Sequence, residues 1–312
     1  MKKKLISVVT PCFNEEANIE ELYLRVKDVF AKINKYDYEH IFIDNDSKDN
    51  TVSILRDIAK ADKRVKIVLN SRNFGVVRSS FYGLLQGRGD ATILIFADLQ
   101  EPPSLLIEFL EKWEEGNFVV QGVKKRSEEG FVLFNIKKFY YYIINKISEV
   151  ELIRDASCFS LYDKRVIEEF RKIDDIYPYL KGLVSELGFK TAIVEYHQAA
   201  RKKGVSATKL YIAYDFAMLG ITSHSKVPLR LATILGFFMS IMSLILAFSF
   251  FIGKIFFWNL FPVGIASIIV GLFFFSSIQL FFIGIIGEYI GLMNMRMLKR
   301  PLVIEKDRIN FK

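Results

Sequence analysis

LISVVTPCFNEE, residues Leu5–Glu16, decides how the chain is read. Leu5 to Thr10 is a short apolar run rich in β-branched residues, and Pro11 closes it, so it reads as a strand. Glu15 to Ala31 reads as a helix, with Asn14 as its N-cap and Glu15 and Glu16 at its positive end. The run is too short for the apolar core of a signal peptide. The same change of period recurs downstream. His40 to Asp44, Val65 to Leu69, Ala91 to Ala97 and Phe118 to Val123 are further strands, Asn50 to Ala61 and Val76 to Leu85 further helices, and Gly188 stops a helix ending at Leu187. Alternation of this kind predicts an α/β domain, a parallel sheet with helices on both faces.

Such sheets bind ligands beyond the carboxyl ends of their strands. Polar clusters occupy those places: Pro11–Glu16, Asp44–Asp49, Asn70–Gly75 and Asp98–Pro103. Neither a Gly-x-Gly-x-x-Gly nor a P-loop follows any strand, which argues against a dinucleotide oxidoreductase or a P-loop enzyme. A carboxylate at a strand end serves a ribose, a divalent cation or simply a turn. Asp98 with the amide oxygen of Gln100, at i and i+2 of an extended segment, suits Mg²⁺ or Mn²⁺ carrying a diphosphate.

The 312 residues carry a net charge of +8, with 51% hydrophobic residues and two cysteines. Cys12 and Cys158 lack metal-site spacing and read as buried thiols in a reducing compartment. The apolar excess is concentrated. Leu231 to Gly253 and Ile255 to Gly287 contain no ionisable residue and are separated by Lys254 alone. A helix needs about 20 apolar residues to cross a bilayer, so two transmembrane helices are expected, the second from about Val263 to Gly287. Lys226 and Arg230 precede the pair and Arg296, Lys299 and Arg300 follow it, which puts both termini in the cytoplasm by the positive-inside rule. Three parts are expected: a domain over 1–230 with interfacial helices near 131–147 and 207–226, the helices over 231–287, and a basic tail over 288–312. Small residues Gly264, Ser267 and Gly271 on the second run would let copies pack into a homo-oligomer.

Taken in order, these segments resemble the polyprenyl-phosphate branch of the inverting family-2 glycosyltransferases, the dolichyl-phosphate mannose synthases and bactoprenol glucosyltransferases. Ser7–Glu16 is similar to the family's opening strand and Pro-x-Tyr-Asn-Glu turn, Asp44–Thr51 to its Asp-Asp-Gly-Ser-x-Asp-x-Thr, and Ser71–Gly75 and Asp98–Pro103 are close matches. The resemblance implies a GT-A type, Rossmann-like nucleotide-binding domain followed by two transmembrane helices. It implies that Pro11, Phe13, Glu15 and Asp44 hold the nucleoside of a sugar nucleotide, and Asp98 and Gln100 the metal. Three positions depart from the family. Phe96 stands where the first Asp of Asp-x-Asp belongs; Ser157–Ser160 replaces Gly-Asp-Phe-Arg, so that Cys158 occupies the place of a proposed base; and Arg201–Ala207 lacks the last lysine of Arg-x-x-Gly-x-Ser-Lys.

Loss of a base matters less for a phosphate acceptor. A phosphate monoester has its second pKa near ~6 and is already anionic. Cations must then bring two anions together, and Lys124 and Arg126, with Arg201 and Lys203, are the candidates for phosphate binding. Asp155 is expected to orient the acceptor or a sugar hydroxyl. The expected activity is inverting transfer of a hexose from a UDP-sugar to undecaprenyl phosphate at the inner membrane, with no nucleic-acid partner. Two alternatives are a polysaccharide synthase, against which the missing Gln-x-x-Arg-Trp signature counts, and a catalytically silent scaffold binding nucleotide sugar or lipid.

Overall fold

The computed structural model describes residues 3–125, 146, 152–153, 156–198, 218–223, 225–256 and 264–311. In chain order the elements are β1 (Lys4–Cys12), α1 (Ile19–Ile33), β2 (Tyr36–Asp44), α2 (Thr51–Ala61), β3 (Val65–Asn70), α3 (Val76–Gln86), β4 (Ala91–Leu94) and α4 (Leu106–Glu114). There follow β5 (Val119–Lys124), β6 (Ala156–Asp163), α5 (Lys164–Lys172), α6 (Leu180–Leu187), β7 (Thr191–Tyr196), the long helices α7 (Val227–Phe256) and α8 (Ile265–Met297), and β8 (Glu305–Ile309).

One sheet runs in the order β7-β5-β6-β4-β1-β2-β3-β8. Its β4-β1-β2-β3 portion is parallel, as expected from the alternation of strand and helix. Outside that portion β7 runs parallel to β5, but the other pairings are antiparallel. β6 lies antiparallel to both β4 and β5, and β8 is antiparallel to β3. The chain leaves β5 at the ligand-binding end and starts β6 from that same end, so the two strands must run opposite ways.

Side chains alternate between two cores, because successive strand residues point to opposite faces. Ile6 and Val8 of β1 and Phe42 of β2 pack with Leu22, Val26 and Phe30 of α1 and Phe109 of α4. Val9, Ile41 and Ile43 pack on the other face with Phe81 and Leu84 of α3 and Phe170 of α5. Helix α3 reaches the sheet through Gly83, where an added Cβ would stand 2.7 Å from side-chain carbons of both Ile43 and Val9.

Asn14 is not the N-cap of the first helix, contrary to expectation. It takes a left-handed φ of 55°, its side-chain oxygen accepts the Lys48 amide at 2.8 Å, and α1 starts five residues later. The energy of a cap is replaced by a tie between the loops after β1 and β2. Strand β4 ends at Leu94 rather than Ala97. Gly188 does close its helix, with φ 65° after Leu187.

Both long helices present apolar side chains outward, among them Phe237, Phe238, Leu280 and Phe281. Among the described residues one stretch, Phe274–Met297, is long and apolar enough to cross a membrane. Helix α8 runs ten residues past Gly287. Its end meets both the segment before α7 and the sheet domain: the Tyr289 hydroxyl donates to the Ser225 carbonyl at 2.5 Å, and Arg296 pairs at 2.9 Å with Asp175, between α5 and α6. The expected tail does not trail away. Residues 305–309 return as β8, pairing Ile309 with Ile67 and Asp307 with Leu69 at the edge of the sheet. Among the described residues nothing lies within 4 Å of where a Cβ on Gly271 would stand.

Candidate active site at the carboxyl ends of the strands

The loops after β1 and β2 interlock. Asn45 donates its amide hydrogen to the Cys12 carbonyl at 3.0 Å, Asn14 donates to the Ser47 hydroxyl at 2.9 Å, and Glu15 donates to the Thr51 hydroxyl at 2.8 Å. The Glu15 carboxylate accepts from the Asn18 amide at 2.7 Å. Phe13 stands out from this loop with 40% of its surface exposed. Asp44, at the end of β2, is buried, with 1% exposure; its carboxylate accepts from the Ser47 amide at 3.0 Å and from the Ser47 hydroxyl. Burial raises its pKa, and the Ser47 bonds counter part of that rise.

Asn45 is the hub beneath these loops. Its side-chain oxygen accepts from Asn70 at 3.1 Å, from the Phe74 amide at 2.9 Å and from the Ser79 hydroxyl at 2.9 Å, while its nitrogen donates to Asn73 at 2.9 Å. One side chain thus joins the ends of β2 and β3 to the start of α3. Its signal in the sequence was faint: asparagines at the ends of two apolar strands, where polarity has no use for the core.

After β4 the chain turns rather than extending. Leu99 takes φ 57°, a left-handed conformation unfavourable for a branched side chain, and its side chain is buried. The turn, and not strand alternation, brings Asp98 and Gln100 together: the Asp98 carboxylate accepts from the Gln100 amide at 3.3 Å, and the Gln100 side-chain oxygen accepts from Gln198 at 3.0 Å. Glu101, not singled out by sequence, braces this turn from below. It is 5% exposed and accepts the Phe96 amide at 3.1 Å. Burial pushes its pKa up to about 8, with the Asp98 charge adding to the rise and Lys124 opposing it. Lys124 is half-buried at the end of β5.

Residues 7–171 match the family described as Glycosyl transferase family 2. The chain belongs to glycosyl transferase family 2. It is 37% identical to the uncharacterized glycosyltransferase YkcC of Bacillus subtilis over 96% of this chain and 92% of that protein. It is 35% identical to the SfII prophage-derived bactoprenol glucosyl transferase of Shigella flexneri over 96% of this chain and 97% of that protein. Among solved structures, mannosyl-3-phosphoglycerate synthase from Rubrobacter xylanophilus is 17% identical and aligns over 69% of this chain and 71% of that one, with a TM-score of 0.49.

Within this family-2 domain the sheet places Pro11, Phe13, Glu15 and Asp44 at the carboxyl ends of the adjacent strands β1 and β2, and the Asp98–Gln100 turn after β4, the other neighbour of β1. Cys158 lies on β6, where burial raises its thiol pKa; it stays protonated near neutrality and offers no base. Asp155, Arg126, Arg201 and Lys203 fall outside the described residues. Among the described residues no group of three or more His, Cys, Asp or Glu side chains gathers to hold a metal. What is present, one carboxylate and one amide oxygen, is a hard-oxygen set that fits a Mg²⁺ or Mn²⁺ whose other ligands come from phosphate and water.

Proposed function

We propose that the protein transfers a hexose from a nucleotide sugar, UDP-linked, to a polyprenyl phosphate, undecaprenyl phosphate, at the cytoplasmic face of the membrane. The observation that carries the reading is a similarity to bactoprenol glucosyl transferase spanning 96% of this chain, so that it includes the long helices as well as the family-2 domain.

The chemistry of the site supports it. Phe13 stacks on the base, and Pro11, Glu15 and Asp44 line the nucleoside. Asp98 and Gln100 would hold Mg²⁺ or Mn²⁺, which when bound neutralises the departing diphosphate. Lys124 adds positive charge beside that position. The acceptor's phosphate oxygen attacks the anomeric carbon from the face opposite the leaving nucleotide, forming the new glycosyl–phosphate bond with inversion. That oxygen is anionic near neutral pH, so no proton has to be removed, in keeping with a neutral thiol at Cys158. Arg126, Arg201, Lys203 and Asp155 are proposed to complete the phosphate and acceptor contacts.

In this reading α7 and α8 cross the bilayer as a pair, and the contacts of Tyr289 and Arg296 keep both inner ends at the catalytic domain. Lys226, Arg230, Lys299 and Arg300 flank those ends, as the positive-inside rule requires of a cytoplasmic side. The test is incubation of the purified full chain in detergent with radiolabelled nucleotide sugars, Mg²⁺ or Mn²⁺ and undecaprenyl phosphate. Labelled lipid is expected from the wild type, with a loss of roughly 10²-fold or more in Asp98→Ala. Absence of labelled lipid with every common donor refutes the transfer, and full activity in Asp98→Ala refutes the metal assignment.

A further inference from the structure

The chain that leaves α8 passes directly behind the donor side of the site. Arg78, on the first turn of α3, spreads its guanidinium over that chain: Nε donates to the Leu302 carbonyl and Nη2 to the Pro301 carbonyl, each at 2.7 Å. Two parallel donors in a planar fork suit two successive carbonyls, and a lysine ammonium cannot reproduce that geometry. On its other side Arg78 covers the ring of Phe74 at 5.0 Å, and Arg72 covers the same ring at 4.1 Å. Two residues further along the returning chain, the Ile304 carbonyl accepts the Ser71 amide at 2.8 Å. Residues 301–304 therefore hold the loop 71–75 directly at Ser71 and, through Arg78, at Phe74.

That loop in turn leads into the site. The Phe74 amide and the Asn73 side chain are both bonded to Asn45, whose own amide is bonded to Cys12 and which follows Asp44 in sequence. From Pro301 to Asp44 every link is a hydrogen bond, a ring contact or a peptide bond. Residues about 225 positions apart in sequence thus share one rigid corner.

We propose that Arg78 is a positioning residue for nucleotide-diphosphate binding: it fastens the strap leaving α8 to the 71–75 loop, and through Asn45 this sets the nucleoside pocket at the ends of β1 and β2. The inference rests on the nucleotide-sugar reading above. It makes the donor pocket depend on a segment placed by the long helices and not by the family-2 region alone. Arg56 provides a control, since it holds the same strap at its far end by pairing with Asp307 at 2.7 Å on the surface, with no hydrogen bond or ion pair to the 71–75 loop among the described residues.

The experiment compares full-length wild type, Arg78→Ala, Arg78→Lys and Arg56→Ala in detergent. Hydrogen exchange is read over residues 71–75, UDP and GDP affinity by calorimetry, and donor and acceptor KM where transfer is observed. Arg78→Ala is expected to speed exchange in the loop, weaken nucleotide binding about tenfold and raise the donor KM by a similar factor without changing the acceptor KM. Arg78→Lys is expected to recover part of this loss, and it serves as the test variant should the alanine fail to fold. Arg56→Ala is expected to change none of these more than about twofold. Unchanged exchange in both Arg78 variants overturns the proposal, and so does faster exchange with unaltered nucleotide affinity. A wild type that binds neither nucleotide refutes the donor reading and this positioning role with it, whereas tight wild-type binding that is indifferent to Arg78 refutes this proposal alone.

Discussion

Buried polar side chains set the behaviour of the site at the scale of single residues. Replacing Asn45 by alanine removes the acceptor shared by Asn70, Phe74 and Ser79; Asn70 keeps its bond to the Ser79 hydroxyl, but the Phe74 amide and the Ser79 hydroxyl lose their acceptor. An unsatisfied buried donor costs about 1–3 kcal/mol, so Asn45→Ala is expected to lower stability by at least that amount in chemical denaturation, while Asn45→Asp, which keeps the oxygen, loses less. His40 makes a second prediction. It is fully buried, its Nε2 lies 2.9 Å from the Thr10 hydroxyl, and desolvation lowers its pKa to about 3, the Asp62 charge opposing that fall. The native state then holds His40 neutral, whereas the unfolded chain takes up a proton below about 6.5. Stability from this group is present above that value and is lost as pH falls toward 3. Between pH 7 and pH 5 the loss amounts to roughly 2 kcal/mol. Thermal unfolding of the wild type should show this fall, and His40→Gln should show a flatter profile over the same interval.

Helix α3 carries the most demanding fit among the elements. Its Gly83 lies against β1 and β2, which a side chain at that position would push away. Alanine is the better helix former by about 1 kcal/mol, yet overpacking a core costs about 1–3 kcal/mol. Gly83→Ala is therefore expected to lower the melting temperature by several degrees, and adding Val9→Ala, which removes one of the two obstructing carbons, should return part of it. Because α3 also carries Ser79 and Arg78, the same substitution is expected to loosen the donor side of the site. The turn after β4 shows a comparable dependence. Leu99 holds a left-handed backbone because its side chain is buried and Glu101 secures Phe96, and neither reason is visible in the local order of residues.

Viewed as a whole molecule, the long helices and the catalytic sheet are not separable at residue 230. A chain ended at residue 226 would lose β8 and bare the edge of β3, whose free amides and carbonyls invite pairing with other chains. Such a truncation is expected to elute as aggregate in size-exclusion chromatography. Joining residues 299–311 to it through a flexible linker should restore a monomer. The charge of the molecule has the same logic: Arg296 holds Asp175 and Arg308 donates to Gln86 at 2.9 Å, so cations that sequence assigns to a basic tail are in part engaged with the domain.

Local sequence determined the parts whose cause is local. Two uncharged runs make long apolar helices, β-branched runs closed by polar residues make strands whose ends carry the site, and a glycine with positive φ ends α6, because hydropathy, period and backbone freedom act over a few residues. The order of Pro11, Asp44, Asn73 and Asp98 along the chain likewise pointed to one ligand-binding edge before any contact was known. Tertiary structure alone decided the antiparallel return of β6, the capture of the last strand by β3, the Asn45 hub, the left-handed Leu99 and the rise of the Cys158 thiol above its ordinary pKa. Each depends on partners far away in sequence, or on how much water those partners exclude. Pairing register and desolvation belong to the packed chain and are not written into any short stretch of it.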